Sequence, residues 1–110
     1  MATRVVNLTG HRAPGGAPPP GVVYIGHAMY HAGWRLPESQ WANPYRPDTP
    51  RRRRDGSREE VVAKYRAYLL GNAALRAALP ELRGKALGCW CTPAACHGDV
   101  LAELADAVPY

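Results

Sequence analysis

The chain has 110 residues, 46% of them hydrophobic, and a formal charge of +5, so it is long enough for one modest hydrophobic core and too short for two. No apolar run approaches the roughly 20 residues of a transmembrane helix, which argues against a membrane-spanning protein or a membrane partner. The N-terminus lacks the apolar stretch of a secretory signal, so we expect a soluble protein located in the cytoplasm.

The first predicted elements are two short strands. Arg4 to Leu8 reads RVVNL and Val22 to Ile25 reads VVYI, both rich in β-branched residues. Residues 10–21 between them are packed with glycine and proline and predict an exposed loop. Four prolines punctuate residues 33–56, which predicts a long irregular excursion rather than a helix or a strand.

Most of the excess positive charge lies in and just after the excursion. Seven arginines stand against three acids between Trp34 and Arg58. Residues 46–56 form its basic loop, whose densest part is the run Arg51, Arg52, Arg53 and Arg54. Such a run attracts phosphates, a nucleic-acid backbone or an acidic partner, although a solvated surface loop has the same composition.

Two helices follow the excursion. Ser57 and Glu60 have the spacing of a capping box, which predicts a helix from Arg58 to Leu70 with Gly71 as a left-handed stop. Asn72 can cap a second short helix that ends near Pro80, unless this proline opens a further turn.

The last elements are a strand, a loop and a helix. ALGCW, residues 86–90, is an apolar run of strand length, TPAAC is the loop after it, and a helix begins at His97 or Gly98. The order β, β, α, α, β, α predicts an α/β fold: a small sandwich with a short, mostly parallel sheet and helices packed on it. Residues 1–110 are expected to form this single domain.

The junction of that strand and helix is the predicted functional site. In open α/β sheets ligands bind beyond the carboxyl ends of strands, and the amides at a helix start favour an anion. We therefore expect the backbone at His97 and Gly98 to hold a phosphate or a carboxylate. Cys96, at the helix start, is the candidate nucleophile. Asp99 is a candidate general base, or else a residue that caps the helix.

A zinc site is the alternative use of the cysteines. Cys89, Cys91, Cys96 and His97 supply a permitted tetrahedral set, but zinc modules usually present pairs of ligands two to four residues apart. We therefore predict no cofactor and keep zinc as the alternative. Cys89 can also be simply a small buried core residue.

Further ligand-binding candidates lie at a strand end and in the excursion. Tyr24 and Gly26 end the second strand, where glycine permits close approach of a ligand, although a simple turn needs glycine too. Asn43 precedes a proline and is expected to be extended, with its amide available to a ligand. Trp41 and Tyr45 can stack on a flat group, or Trp41 can anchor the excursion to the core.

Several enzyme classes lack their signatures. No arginine stands six residues after Cys89 or Cys91, as a Cys-x5-Arg phosphatase loop requires. The chain also has no Walker phosphate loop, no GxGxxG fingerprint and no zinc-deaminase motif pair.

Taken together, VVNL, VYIG, GWRLPESQWANPY, EEVVAKYRAYL and LGCWCTPAACHGDVLAELA resemble the DUF4326 family of bacterial and phage domains of unknown function. The most specific parts are the Trp-x-Asn-Pro-aromatic run and the Cys-x-Cys to Cys-His-Gly-Asp run. The resemblance implies a compact α/β domain common in phage and actinobacterial contexts, and it brings no established reaction. Where the family often has arginine or lysine after Tyr-Ile-Gly, this chain has His27.

Two hypotheses about function remain. The first is an enzyme or sensor that binds a nucleotide-like or phosphorylated small molecule at the strand-to-helix junction. The second is a noncatalytic module, with or without zinc, that binds nucleic acid or a protein through the arginine run. The sequence identifies neither a substrate nor an oligomeric state.

Overall fold

Three short strands form one parallel sheet in this computed structural model, which describes residues 2–90 and 96–107. The strands are β1 (Arg4–Asn7), β2 (Val22–Tyr24) and β3 (Ala86–Cys89), in the spatial order β1-β3-β2. The last strand along the chain is therefore the central one, and it is buried along its whole length. The expected short, parallel sheet is confirmed, although each of the two first strands ends one residue earlier than predicted.

The helices begin where the sequence predicted. Helix α1 spans Arg58–Leu70, and both halves of the capping box between Ser57 and Glu60 are formed. Helix α2 spans Ala73–Ala78, with the Asn72 side chain accepting from the Leu75 amide. Helix α3 spans His97–Ala107.

Two helix ends need comment. The prediction of a left-handed stop at Gly71 is wrong, since this residue has φ −83° and its amide donates to Ala67 and Leu69 carbonyls. The chain thus leaves α1 in a right-handed conformation and enters the cap of α2 directly. Pro80 lies inside a 3-10 turn, Leu79–Leu82, so it opens a further turn after α2.

Helix α3 packs on the sheet, and α1 packs on α3. This arrangement encloses the main core, and Leu87 of the central strand, Tyr65 of α1 and Leu101 of α3 are fully buried in it. Helix and sheet approach closely at Gly98, where an added Cβ would lie 2.8 Å from Ile25 Cδ1. Burial of apolar area on this scale is the main favourable term in folding.

The long excursion covers the other face of the sheet. Leu8, Trp34 and Leu36 form a second buried cluster, with Val22 and Tyr24 of β2 packed against it. Side chains alternate along a strand, so Val23 contacts the main core while its two neighbours contact this second cluster. A parallel sheet needs cover on both faces, and here an irregular segment supplies one of the two covers.

The described residues contain no helix long and apolar enough to cross a membrane.

Candidate functional site

A cavity of about 330 Å³ lies where the strands end at the carboxyl edge of the sheet. Because β2 and β3 are parallel, their carboxyl ends meet at this edge, and α3 begins beside them. The cavity brings together seven of the candidate site residues that the sequence singled out: Tyr24, Gly26, Asn43, Tyr45, Cys89, Cys96 and His97. Its volume lies within the range of small-molecule sites.

Two thiols and an imidazole meet in the wall of the cavity. The Sγ atoms of Cys96 and Cys89 are 3.2 Å apart, and both cysteines are reduced and buried, with 1% and 2% of their surfaces exposed. His97 Nδ1 lies 3.8 Å from Cys96 Sγ. The candidate nucleophile therefore has both a second thiol and a nitrogen base beside it.

A backbone carbonyl defines the tautomer of His97. Its Nε2 is 2.7 Å from the carbonyl oxygen of Ile25, which can only accept, so Nε2 carries the proton and Nδ1 keeps a lone pair. Burial lowers the pKa of His97 below its ordinary value of 6.5, although the hydrogen bond to Ile25 opposes this effect. The imidazole is therefore neutral at neutral pH.

Three amides at the start of α3 have partners within the protein. Gly98 N–H donates to Cys96 Sγ, Asp99 N–H donates to the Cys96 carbonyl, and the Asp99 carboxylate accepts from Cys96 N–H. Neither Gly98 nor Asp99 lines the cavity, and Asp99 is exposed. The geometry therefore does not favour an anion at the Gly98 amide, and Asp99 caps the helix, which was the structural alternative.

Trp41 is a core residue rather than a stacking platform. It is 3% exposed, belongs to the main core, and is not among the residues that line the cavity. Its carbonyl accepts a 2.7 Å hydrogen bond from the buried Tyr65 hydroxyl. Trp41 therefore anchors the excursion to the core, as the alternative prediction had it. Tyr45, the second predicted stacking residue, does line the cavity.

The side chain of Asn43 shapes the cavity wall. Its Oδ1 accepts from the Tyr45 amide and its Nδ2 donates to the Val61 carbonyl, which ties the excursion to α1. Each amide atom thus has one partner within the protein and capacity for one more, and the contact of Asn43 with a ligand stays a prediction.

The space beside Gly26 is occupied by the Tyr24 side chain. A Cβ at this position would lie 2.5 Å from the Tyr24 hydroxyl oxygen, so the close approach is made by the Tyr24 ring. That hydroxyl donates to the His27 carbonyl and accepts from Trp90 Nε1. Burial raises the pKa of Tyr24 above its ordinary value of 10.0, partly offset by the Trp90 hydrogen bond, so the phenol stays protonated.

His27 joins two parts of the excursion at the cavity. Its Nε2 lies 2.7 Å from the Asn43 carbonyl oxygen and its Nδ1 lies 2.8 Å from Glu38 Oε2. Both partners are acceptors, so a ring nitrogen donates to its partner when it carries a proton. His27, at the position after Tyr-Ile-Gly, thus joins Glu38 to the Asn43 backbone at the cavity.

A pH-dependent contribution to stability is expected from Glu38. Hydrogen bonds from the Ala28 amide and then from His27 lower the pKa of Glu38 below its ordinary value of 4.5. A lowered folded-state pKa means that the carboxylate stabilises the fold above the unfolded value, and that this contribution is lost as the pH falls through the folded value. Glu38→Gln should therefore reduce the free energy of unfolding at neutral pH, and its difference from the wild type should shrink in acid.

Urea unfolding at a series of pH values measures this difference, with the exposed Glu81→Gln as the matched control. A Glu38→Gln difference that stays constant from about pH 7 to about pH 3 would contradict the assignment.

Among the described residues, the permanently charged side chains that line the cavity are all cationic. Arg46 and Arg58 line it together with His27, His31 and His97, whereas no aspartate or glutamate does. Arg46 comes from the excursion and Arg58 from the first position of α1. This concentration of basic groups favours an anionic occupant.

A zinc site is not assembled by the residues that the structure describes. They contain no group of three or more histidine, cysteine or acidic side chains placed to hold a metal ion. Cys91, the remaining member of the alternative zinc set, lies outside the described residues.

The arginine run lies apart from the cavity. Arg51, Arg52, Arg53 and Arg54 are exposed, and none of them lines the cavity. Asp48 shapes their turn by accepting from the Arg54 and Gly56 amides, and these hydrogen bonds lower the pKa of Asp48.

Comparison with known proteins places the chain in a family. The model of the DUF4326 family, a domain of unknown function, matches residues 8–107. The chain belongs to this family. A relative in the same comparison is the uncharacterised protein R718 of Acanthamoeba polyphaga mimivirus, 39% identical over 90 residues. No solved structure matches the chain.

The match to R718 covers 74% of this chain and 65% of the viral protein. This DUF4326 chain therefore spans somewhat less than two thirds of the relative it matches, and the relative's name carries no activity. The family match confirms the resemblance drawn from the sequence motifs. The function of the domain has to be argued from the geometry of the cavity.

The sequence analysis missed several residues of this cavity. Arg46 and Arg58 were counted within the basic segment but were assigned to no site, and Trp90 was placed only within a strand. These residues are connected only by proximity in space. Arg46 and Arg58 are twelve positions apart in the chain, and both are more than thirty positions from Trp90. No spacing rule for helices or strands connects them.

Proposed function

We propose that this DUF4326 domain binds a small anionic molecule, phosphorylated or nucleotide-like, in the cavity at the carboxyl edge of its sheet. The observation that carries the proposal is the lining: two arginines and, among the described residues, no carboxylate. The anion is held by the side chains of Arg46 and Arg58 rather than by the amides at the start of α3. Arginine suits this role because its planar, charged donors match phosphate oxygens.

The rest of the lining supports a ligand with an apolar or flat part. Tyr24, Tyr45 and Trp90 line the cavity together with Met29 and the valines of α1, Val61 and Val62. Aromatic faces accept a base or another planar group, and apolar walls with a few polar groups are typical of small-molecule sites. A phosphorylated molecule with a planar portion satisfies both halves of the lining.

Ligand-induced stabilisation tests the proposal. A panel of nucleoside phosphates, sugar phosphates and inorganic phosphate is added during thermal unfolding, and a ligand that binds the folded state raises the Tm. For the best ligand, Arg46→Gln and Arg58→Gln should each weaken the affinity about tenfold to a hundredfold, since a charge-assisted hydrogen bond contributes about 1.5–3 kcal/mol.

Arg53→Gln is the matched control, because it removes the same charge from an exposed arginine outside the cavity. If no member of the panel raises the Tm, or if Arg53→Gln weakens binding as much as the two cavity variants, the cavity is not the anion site.

The second candidate function is nucleic-acid binding by the arginine run. It is favoured by the turn that carries the arginine run. The Asp48 side chain and the backbone pairing of Thr49 with Arg52 stabilise this turn, on which four exposed arginines lie together. Counterion release then makes binding strongly salt-dependent. In a DNA and RNA binding assay Arg53→Gln would reduce affinity and the salt dependence, whereas Arg58→Gln would have the smaller effect.

A further inference from the structure

The two thiols in the cavity wall form a pair that the anion-binding proposal does not use. Cys89 Sγ and Cys96 Sγ are 3.2 Å apart, whereas a disulfide needs about 2.05 Å. An approach of only about 1 Å separates the reduced pair from a covalent bond. Cys89 ends the central strand and Cys96 directly precedes α3, so two rigid elements hold the sulfurs together.

The surroundings of the two sulfurs are different. Cys96 Sγ accepts the Gly98 amide at the start of α3 and lies 3.8 Å from the unprotonated Nδ1 of His97. An amide donor at a helix start stabilises a thiolate, and a neutral imidazole can take the thiol proton. These contacts mark Cys96 as the sulfur that reacts first and Cys89 as the one that resolves the product.

We infer that Cys89 and Cys96 are a site of reversible thiol oxidation, in which a hydroperoxide that enters the cavity converts the pair into a disulfide. His97 Nδ1 takes the Cys96 thiol proton, and the thiolate attacks one peroxide oxygen and breaks the O–O bond. The leaving hydroxide takes the proton from His97 and departs as water, which leaves Cys96 as a sulfenic acid.

The second step closes the disulfide. The Cys89 sulfur attacks Cys96 Sγ and breaks its S–O bond, and the Cys89 proton leaves with the hydroxyl group as a second water. Across both steps the two thiols lose two electrons, and hydrogen peroxide is reduced to two molecules of water. A thiol donor reverses the change by exchange, which returns both cysteines to the reduced state.

The cavity accounts for access to this buried pair. Cys89, Cys96 and His97 all line it, although their exposed fractions are 2%, 1% and 8%. Hydrogen peroxide is small enough to enter a space of about 330 Å³. The inference shares this cavity with the anion proposal but does not depend on it, since Arg46 and Arg58 take no part in the oxidation.

Peptide mapping by mass spectrometry tests the inference on the wild-type chain. The reduced protein is treated with hydrogen peroxide, its remaining thiols are alkylated, and the disulfide-linked peptides are identified. We expect a Cys89–Cys96 disulfide that forms about tenfold or more faster than in the protein unfolded in denaturant, and that a thiol reductant reverses. The variant Cys91→Ser should form the same disulfide.

Two variants separate the roles of the residues. In Cys89→Ala the sulfenic acid on Cys96 should persist and be captured by dimedone, whereas Cys96→Ala should give no rapid reaction at Cys89. His97→Gln should slow the first step and change its pH profile.

The inference is overturned if peroxide leaves the pair reduced in the folded wild type, or if Cys91 forms the first disulfide. Arg53→Gln, outside the cavity, should oxidise at the wild-type rate. Oxidation is read by peptide mapping and anion binding by the Tm, so the failure of one is distinguishable from the failure of the other.

Discussion

Replacing Tyr65 with alanine is expected to reduce the free energy of unfolding by about 3–5 kcal/mol, the range for deleting a fully buried aromatic side chain. Tyr65 has no exposed surface and lies where α1 meets α3, with its ring 4.9 Å from that of His97. Its hydroxyl donates to the Trp41 carbonyl, which fixes the excursion to the main core. The substitution should therefore disturb the cavity wall as well as the core.

The conservative variant Tyr65→Phe isolates the hydrogen bond. It keeps the ring but leaves the buried Trp41 carbonyl without its donor, which should reduce stability by about 1–3 kcal/mol. Burial raises the pKa of Tyr65, so the hydroxyl remains a donor throughout the accessible pH range. Tyr68→Phe is the control, since it removes a hydroxyl from a half-buried position on the same helix.

Urea unfolding measures the three free energies. A Tyr65→Phe protein as stable as Tyr68→Phe would show that the bond to Trp41 does not hold the excursion in place.

Replacing Gly98 with valine is expected to destabilise the fold by about 1–3 kcal/mol, as overpacking of a dense core does. A Cβ at Gly98 would lie 2.8 Å from Ile25 Cδ1 and 3.1 Å from Val5 Cγ1, and valine adds two more carbons in the same space. Helix α3 would have to move away from the sheet. Because His97, the first residue of α3, lines the cavity, ligand-induced stabilisation should fall as well.

Gly71→Ala provides the comparison for Gly98→Val. Gly71 ends α1 with φ −83°, and an added Cβ would lie 3.3 Å from the nearest oxygen, so the substitution should change stability only slightly. Thermal unfolding of both variants, with and without the best ligand, checks the prediction. Equal stability of Gly98→Val and wild type would mean that α3 does not pack closely on the sheet.

The helices were predicted accurately because their signals are local. Ser57 and Glu60 are three residues apart, and Asn72 caps the amide of Leu75, so the groups that satisfy each helix start are encoded within one turn. Gly71 shows the limit of this reasoning. Glycine permits a left-handed conformation without requiring it, and the immediate start of α2 favours the right-handed one.

The candidate site was predicted in location but not in the way it holds a ligand. The sequence placed Cys96 and His97 at the junction of a strand and a helix, and the cavity is there. The sequence left open whether Asp99 would face a ligand or cap its own helix. In the structure its carboxylate accepts from the Cys96 amide, so Asp99 is a cap. For Trp41 the sequence likewise allowed two interpretations, a stacking residue or an anchor for the excursion. Its burial in the main core shows that it is the anchor.

The sequence by itself determined where the helices begin, the mostly parallel α/β class and the edge of the sheet where the thiols lie, because hydrophobic period, caps and chain order act over short distances. Only the tertiary structure decided which basic groups face the cavity. Arg46, Arg58 and His27 reach it from the excursion, α1 and the end of β2, and their proximity follows from how the irregular segment packs across the sheet. That packing depends on long-range contacts such as the hydrogen bond from Tyr65 to Trp41, which no local pattern specifies.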